Sequence, residues 1–308
     1  MTNTFIFPGQ GSQRVGMLSD WIESRHGINS LLAKANDILG FDIKTIMSDG
    51  PKELLTETRY TQAALYLHSA IVSDYVKESG HIPVAVAGHS VGEYAALYSA
   101  GVIDFWAGLK LVKLRGELMF RAGETNPGTM FAIIGLEDEK VNVLCEELSD
   151  LDSENIIVAA NYNCPGQLVV SGSRDYLREV APKFKEAGAR MVKELQVSGA
   201  FHSPLMASAK EKLAEKINST KFSGANVPVF TNVEAVPEKD AHKLKELLIS
   251  QLTSPVRWSE IMLNMYSFGI NKFTEIGPGK VLGGLVKRSL SDVEIKSVDK
   301  YIDLENLS

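Results

Sequence analysis

Gly88-His89-Ser90-Val91-Gly92 places a serine between two glycines, after the apolar run Pro83–Ala87 and before the helix-like run Glu93–Ala100. Strand, tight turn and helix with serine at the apex is the pattern of a nucleophile elbow. Glycines at 88 and 92 allow strand and helix to approach closely around a strained central residue. The turn exposes the serine oxygen at a helix N-terminus, where unpaired N–H groups favour developing negative charge. The plain alternative is a glycine-bounded turn with an ordinary serine.

A serine nucleophile needs a base. Of six histidines, His26, His68, His81 and His242 lie in or beside helices or turns and read as surface or packing residues. His89 sits inside the elbow and reads as a structural or pocket-wall residue. His202 is the best candidate, in a loop where a site between domains would lie. No acid announces itself: Asp104, Asp138, Asp150, Asp152 and Asp175 all read as caps or solvated residues. A Ser-His dyad with a carbonyl orienting the imidazole is as good a reading as a triad.

Arg115 breaks a helical pattern. In the helix expected over 105–122, Leu111, Val112, Leu114, Leu118 and Met119 share one face, and Arg115 lies near its middle. A charge there is costly unless paired. It is a structural salt bridge, or a stem that snorkels out, or a guanidinium held in a cleft for an anionic substrate, ideally a carboxylate.

The elements that must position these side chains alternate. Strands are expected at 4–7, 83–87, 228–232 and 271–276. Helices are expected at 17–25, 29–39, 62–77, 105–122, 205–217, 241–252 and 258–268, with a last helix ending at Arg288. Between the two halves the order changes to strand 130–135, helix 138–148, strands 155–160 and 167–172, helix 175–187 and strand 190–195. That βαββαβ order is ferredoxin-like. The fold class expected is α/β: a large parallel-sheet domain from residues 1–126 and 198–308, with an inserted ferredoxin-like subdomain at 127–197. The loop Pro8–Gln13 fails the dinucleotide fingerprint because Arg14 stands where the third glycine belongs. Gly277-Pro278-Gly279-Lys280 likewise fails the P-loop spacing.

Composition narrows the function. The chain is 44% hydrophobic and 23% charged, with a net charge of −6, which argues against a general nucleic-acid binder. Two cysteines, Cys145 and Cys164, with no C-x-x-C, argue against a disulfide framework or zinc ribbon. No signal-like segment and no apolar run near the ~18 residues of a membrane span are seen. A cytoplasmic protein without membrane attachment is expected, with no metal.

Six segments carry a resemblance to a known family: FPGQGSQRVGM at 7–17, GHSVGEYAAL at 88–97, LVKLRGELM at 111–119, GAFHSPLM at 199–206, QLTSPVRW at 251–258 and EIGPGKVLGGLVKR at 275–288. Together they resemble the malonyl-CoA:acyl carrier protein transacylase family over almost the whole chain, in the family's order. The resemblance implies that Ser90 is acylated and His202 is its base and later acid. It implies that Arg115 binds the malonyl carboxylate, that the main-chain N–H groups of Gln10 and Val91 form the oxyanion hole, and that Gln251 orients His202 through its carbonyl. Phe201 is similar to the residue of malonyl-selective members. Ala63 stands where proline is common and Val91 where leucine is common; neither departure touches an atom the chemistry needs.

The resemblance also implies a hydrolase-like catalytic domain, no cofactor beyond the substrate malonyl-CoA, acyl carrier protein as acceptor, and a monomer. A polyketide-synthase trans-acting acyltransferase, or a serine thioesterase or esterase, would need the same serine and histidine. Acyl carrier protein is expected to be acidic, so Lys183, Lys185, Arg190, Lys287 and Arg288 are candidates for its docking surface.

Overall fold

The computed structural model describes residues 3–150 and 155–307. Short apolar runs supply strands β1 (Asn3–Phe7), β2 (Ala85–Gly88), β7 (Val229–Phe230) and β9 (Lys272–Ile276). With β8 (Pro237–Glu238) and β10 (Glu294–Val298) they form a six-stranded sheet of order β10-β9-β1-β2-β7-β8. Every pairing is parallel except β7 with β8. Four of five β1 residues and all of β2 are buried, as expected of central strands covered on both faces.

Register places Phe7 opposite Gly88, so β1 and β2 end side by side. The loop carrying Gln10 and the turn carrying Ser90 therefore leave the sheet together, at the carboxyl ends of adjacent strands. Strand β7 ends beside them and delivers Asn232.

The second sheet is antiparallel, with order β4-β5-β3-β6: β3 (Gly128–Ile134), β4 (Ile157–Cys164), β5 (Gln167–Ser173) and β6 (Met191–Glu194). Helices Asp138–Leu148 and Arg174–Glu186 complete the ferredoxin-like βαββαβ order. Their buried faces, with Val141, Leu177 and Phe184, join Ile133, Leu168 and Val170 in a separate core. An isolated bridge between Asn161 and Val256 links this sheet to the larger part.

Several expectations shift. The helix expected over 62–77 runs Thr58–Glu78, and its polar Thr61, Gln62, His68, Ser69 and Ser73 are buried along with its apolar residues. It packs against helices Phe105–Thr125 and Gly92–Ser99, so it has little free face for solvent. The strand expected over 228–232 is only two residues long, and Ile43–Ser48 forms a further short helix. Strand β10 was also not anticipated. Its Glu294 and Lys296 interrupt the apolar signal because it is an edge strand, exposed at its start. Asp152, with the rest of residues 151–154, lies outside the described residues.

Candidate active site

The elbow is a product of close packing. A Cβ on Gly88 would lie 2.0 Å from the carbonyl of Gly92, and one on Gly92 would lie 2.2 Å from the Phe7 oxygen. Only glycine fits at either position. Between them Ser90 is held in left-handed backbone with φ 52°, a conformation costly for a residue with a Cβ. Its main-chain N–H donates to Asn232 Oδ1 at 2.8 Å, while Asn232 Nδ2 donates to the Gly88 oxygen at 2.7 Å. Asn232's own N–H donates to buried Glu93 at 2.8 Å. One carboxamide thus grips both sides of the turn. Burial pushes the Glu93 carboxyl up to about 7.

Ser90 Oγ lies 2.8 Å from His202 Nε2. His202 is also left-handed, with φ 57°, and is 3% exposed. Its Nδ1 faces two main-chain oxygens, Gln251 at 3.0 Å and Ser254 at 3.1 Å. Both are acceptors, so Nδ1 carries the proton and Nε2 is the acceptor toward serine. Burial first, then the charge of Arg115, pushes His202 down to about 3, so the ring is neutral at ordinary pH.

Arg115 is fully buried. Nη1 donates to Gln62 Oε1 at 2.6 Å, and Nη2 donates to both Ser90 Oγ and Gln251 Oε1 at 3.0 Å. Its guanidinium carbon lies 5.7 Å from the centre of the Tyr94 ring. Every oxygen that holds it is uncharged, and no ion pair with a carboxylate forms among the described residues. Burial disfavours the charge, and Tyr94 and then Glu93 partly offset it. The cation is in want of an anion.

The main-chain N–H groups of Gln10 and Val91 donate to no other group among the described residues. Gln10 and Ser90 line one cleft of about 330 Å³, together with His202, Phe201, Gln62 and Met119. Its farther wall includes Leu282, Leu285 and Arg288, from the helix Val281–Ser289. His89 also lines it, with Nε2 turned to Asn163 at 2.9 Å.

Of the residues expected at the site, Ser90, His202, Gln10 and Phe201 line this cleft, Arg115 and Gln251 hydrogen-bond to Ser90, and Val91 is buried beside Ser90 in the turn. Four contributors were missed: Asn232, Glu93, Gln62 and the Ser254 carbonyl. Ser254 had one signal, since a residue before proline is held extended and can present its carbonyl to a neighbour. His68, read as surface or packing, is fully buried and faces Asp299 at 3.4 Å. Among the described residues no cluster of His, Cys, Asp and Glu could hold a metal ion, and no helix is long and apolar enough to cross a membrane.

Residues 4–302 match the model of the acyl transferase domain. The chain belongs to the acyl transferase family. This acyl transferase is 40% identical to the malonyl CoA-acyl carrier protein transacylase of Staphylococcus aureus (strain COL), over 97% of this chain and 96% of that one. It is 39% identical to the Haemophilus influenzae protein of the same name, over 96% and 94%. Its fold matches the crystal structure of an acyl carrier protein S-malonyltransferase from Vibrio cholerae with TM-score 0.94 and 40% identity, over 100% of both chains. A second solved structure, with TM-score 0.94 and 37% identity over 99% and 98%, is a malonyl-transacylase in complex with its type II polyketide-synthase acyl-carrier protein.

Proposed function

We propose that the protein transfers the malonyl group from malonyl-CoA to the phosphopantetheine thiol of acyl carrier protein, through a malonyl ester on Ser90, in fatty-acid synthesis. One observation carries the choice of acyl group. A fully buried guanidinium touches the nucleophile's oxygen and has only uncharged acceptors. An acyl group ending in a carboxylate supplies the missing anion within reach of Ser90, through a charge-assisted pair. The same names borne by the relatives support this reading.

Chemistry proceeds in two halves. His202 Nε2 takes the Ser90 proton as Oγ attacks the thioester carbon. Negative charge builds on the carbonyl oxygen and is met by the N–H groups of Gln10 and Val91. The C–S bond breaks, and CoA leaves with the proton from His202. In the second half the carrier-protein thiol gives its proton to His202 and attacks the Ser90 ester. Ser90 leaves as the alcohol and malonyl thioester is released. The Gln251 and Ser254 carbonyls stabilise the imidazolium in both halves, in place of a triad carboxylate.

Phe201 lines the cleft beside His202 and limits the acyl group that fits there. Among the basic docking candidates, Lys287 and Arg288 are exposed on the helix lining the cleft, and Arg288 itself forms part of its wall. Lys183, Lys185 and Arg190 are exposed on the antiparallel-sheet unit. The protein acts in the cytoplasm, where both acyl donor and carrier are expected.

The test is malonyl transfer from malonyl-CoA to purified holo-acyl carrier protein, with free malonate followed in parallel. Malonyl-carrier formation that outpaces malonate release supports the transferase. Malonate release that is unaffected by the carrier supports a thioesterase instead.

A further inference from the structure

In the transfer steps above, Gln251 contributes only its main-chain carbonyl. Its side chain is equally committed. It is 1% exposed, Nε2 donates to the Ser90 carbonyl oxygen at 3.0 Å, and Oε1 accepts from Arg115 Nη2 at 3.0 Å. The same Nη2 donates to Ser90 Oγ at 3.0 Å. One planar carboxamide therefore ties the nucleophile's main chain to the guanidinium that touches the nucleophile's side chain.

We propose that the Gln251 carboxamide is a positioning residue for acyl selectivity, fixing Arg115 against Ser90 so that acyl groups bearing a carboxylate are chosen. The assignment rests on the malonyl-transfer reading of the site. It is separate from the orientation of His202, which uses the main-chain oxygen and does not depend on the side chain.

Three features carry the argument. First, arginine has a long, rotamer-rich stem, so a guanidinium is aimed only where its N–H groups are pinned. Here the pins are Gln62 on Nη1 and Gln251 on Nη2. Second, both pins are neutral. A carboxylate at either place would hold the same geometry and cancel the charge that the substrate must meet. Third, Nε is buried and has no hydrogen-bond partner among the described residues, so the pinned group keeps an unused donor. A guanidinium already fixed in place loses less freedom when the acyl carboxylate arrives, which favours binding.

The experiment measures kcat and KM for malonyl-CoA and acetyl-CoA, with holo-acyl carrier protein as acceptor, for wild type, Q251A, Q251E and R115A. Loss of a hydrogen bond to a charged group predicts a fall of about 10- to 100-fold in the malonyl-to-acetyl ratio of kcat/KM for Q251A. Most of that fall lies in a raised KM for malonyl-CoA. Q251E keeps the shape and pairs with Arg115, so the ratio falls at least as far, and this variant carries the test should Q251A not fold. Loss of both substrates by one common factor, or a wild-type ratio in both variants, overturns the assignment. R115A separates the two levels: if it retains the wild-type ratio, the malonyl reading itself fails, whatever Gln251 does.

Discussion

Ser90 and His202 meet at 2.8 Å with both residues in left-handed backbone, at φ 52° and 57°. Neither is glycine, so each half of the dyad is held in a conformation its own residue type disfavours. The elbow's two glycines and the Asn232 carboxamide enforce the first; the two carbonyls on Nδ1 and the burial of the ring enforce the second.

Replacing Ser90 by glycine releases that strain, whereas alanine keeps it. Neither variant has a nucleophile. S90G is expected to exceed S90A in unfolding free energy by about 1 kcal/mol, because the left-handed penalty outweighs the extra chain entropy of glycine. Urea denaturation of the two proteins reads the difference directly. Equal stabilities would mean the turn is unstrained.

The base should work in acid. Neutral imidazole is the form that accepts the serine proton, and His202 is pushed down to about 3 from 6.5. Its neutral fraction therefore stays near one as the pH falls from about 7 to about 5. A histidine at its ordinary value would lose about 20-fold of its neutral form over the same interval. Single-turnover acylation by malonyl-CoA, measured by rapid quench, is expected to change less than about 3-fold across that range. A steep decline below about pH 6.5 would show that burial does not set the histidine.

Asn232 is expected to matter without touching substrate. N232A removes the acceptor for the Ser90 N–H and the donor to the Gly88 oxygen. Leaving such buried groups unpaired costs about 1–3 kcal/mol of stability. The acylation rate should fall as well, since the turn no longer holds Oγ toward His202. Thermal unfolding and a burst-phase assay check the two effects. A variant with wild-type values of both would leave Asn232 without a role.

Arg115 separates substrate choice from chemistry. R115A should lose malonyl-CoA acylation by about 100-fold or more, as removal of a charge-assisted pair predicts, while acetyl-CoA acylation is less affected. Parallel initial rates with both thioesters decide it. Equal losses would assign Arg115 to structure, through its bonds to Gln62, Ser90 and Gln251.

How much of this was legible in the sequence depended on how local each signal is. The elbow is five consecutive residues, and its glycines state their own geometric reason. Arg115 stood out because a helix writes its faces at fixed spacing, and a charge in the apolar stripe violates that spacing. His202 was found by elimination among six histidines and by resemblance. Asn232 and Glu93 were silent. Their partners lie 142 and 139 residues away in the chain, and neither breaks a local pattern. The long central helix was seen, but the burial of its polar residues was not, because Gln62, His68 and Ser73 look solvent-facing until a second helix covers them. Strand β10 was lost for the opposite reason, since an edge strand has few apolar residues to declare it. Gln251 lay between these cases. The family resemblance pointed to its carbonyl, whereas its carboxamide's grip on Arg115 and Ser90 appears only in three dimensions.

The central claim is that acyl groups pass through an ester on Ser90. Intact-protein mass spectrometry after brief exposure to malonyl-CoA tests it most directly. One malonyl adduct is predicted on the wild-type chain, mapping to the peptide that contains Ser90, discharged by holo-acyl carrier protein and absent from S90A. An adduct of the same mass that survives in S90A would contradict the account.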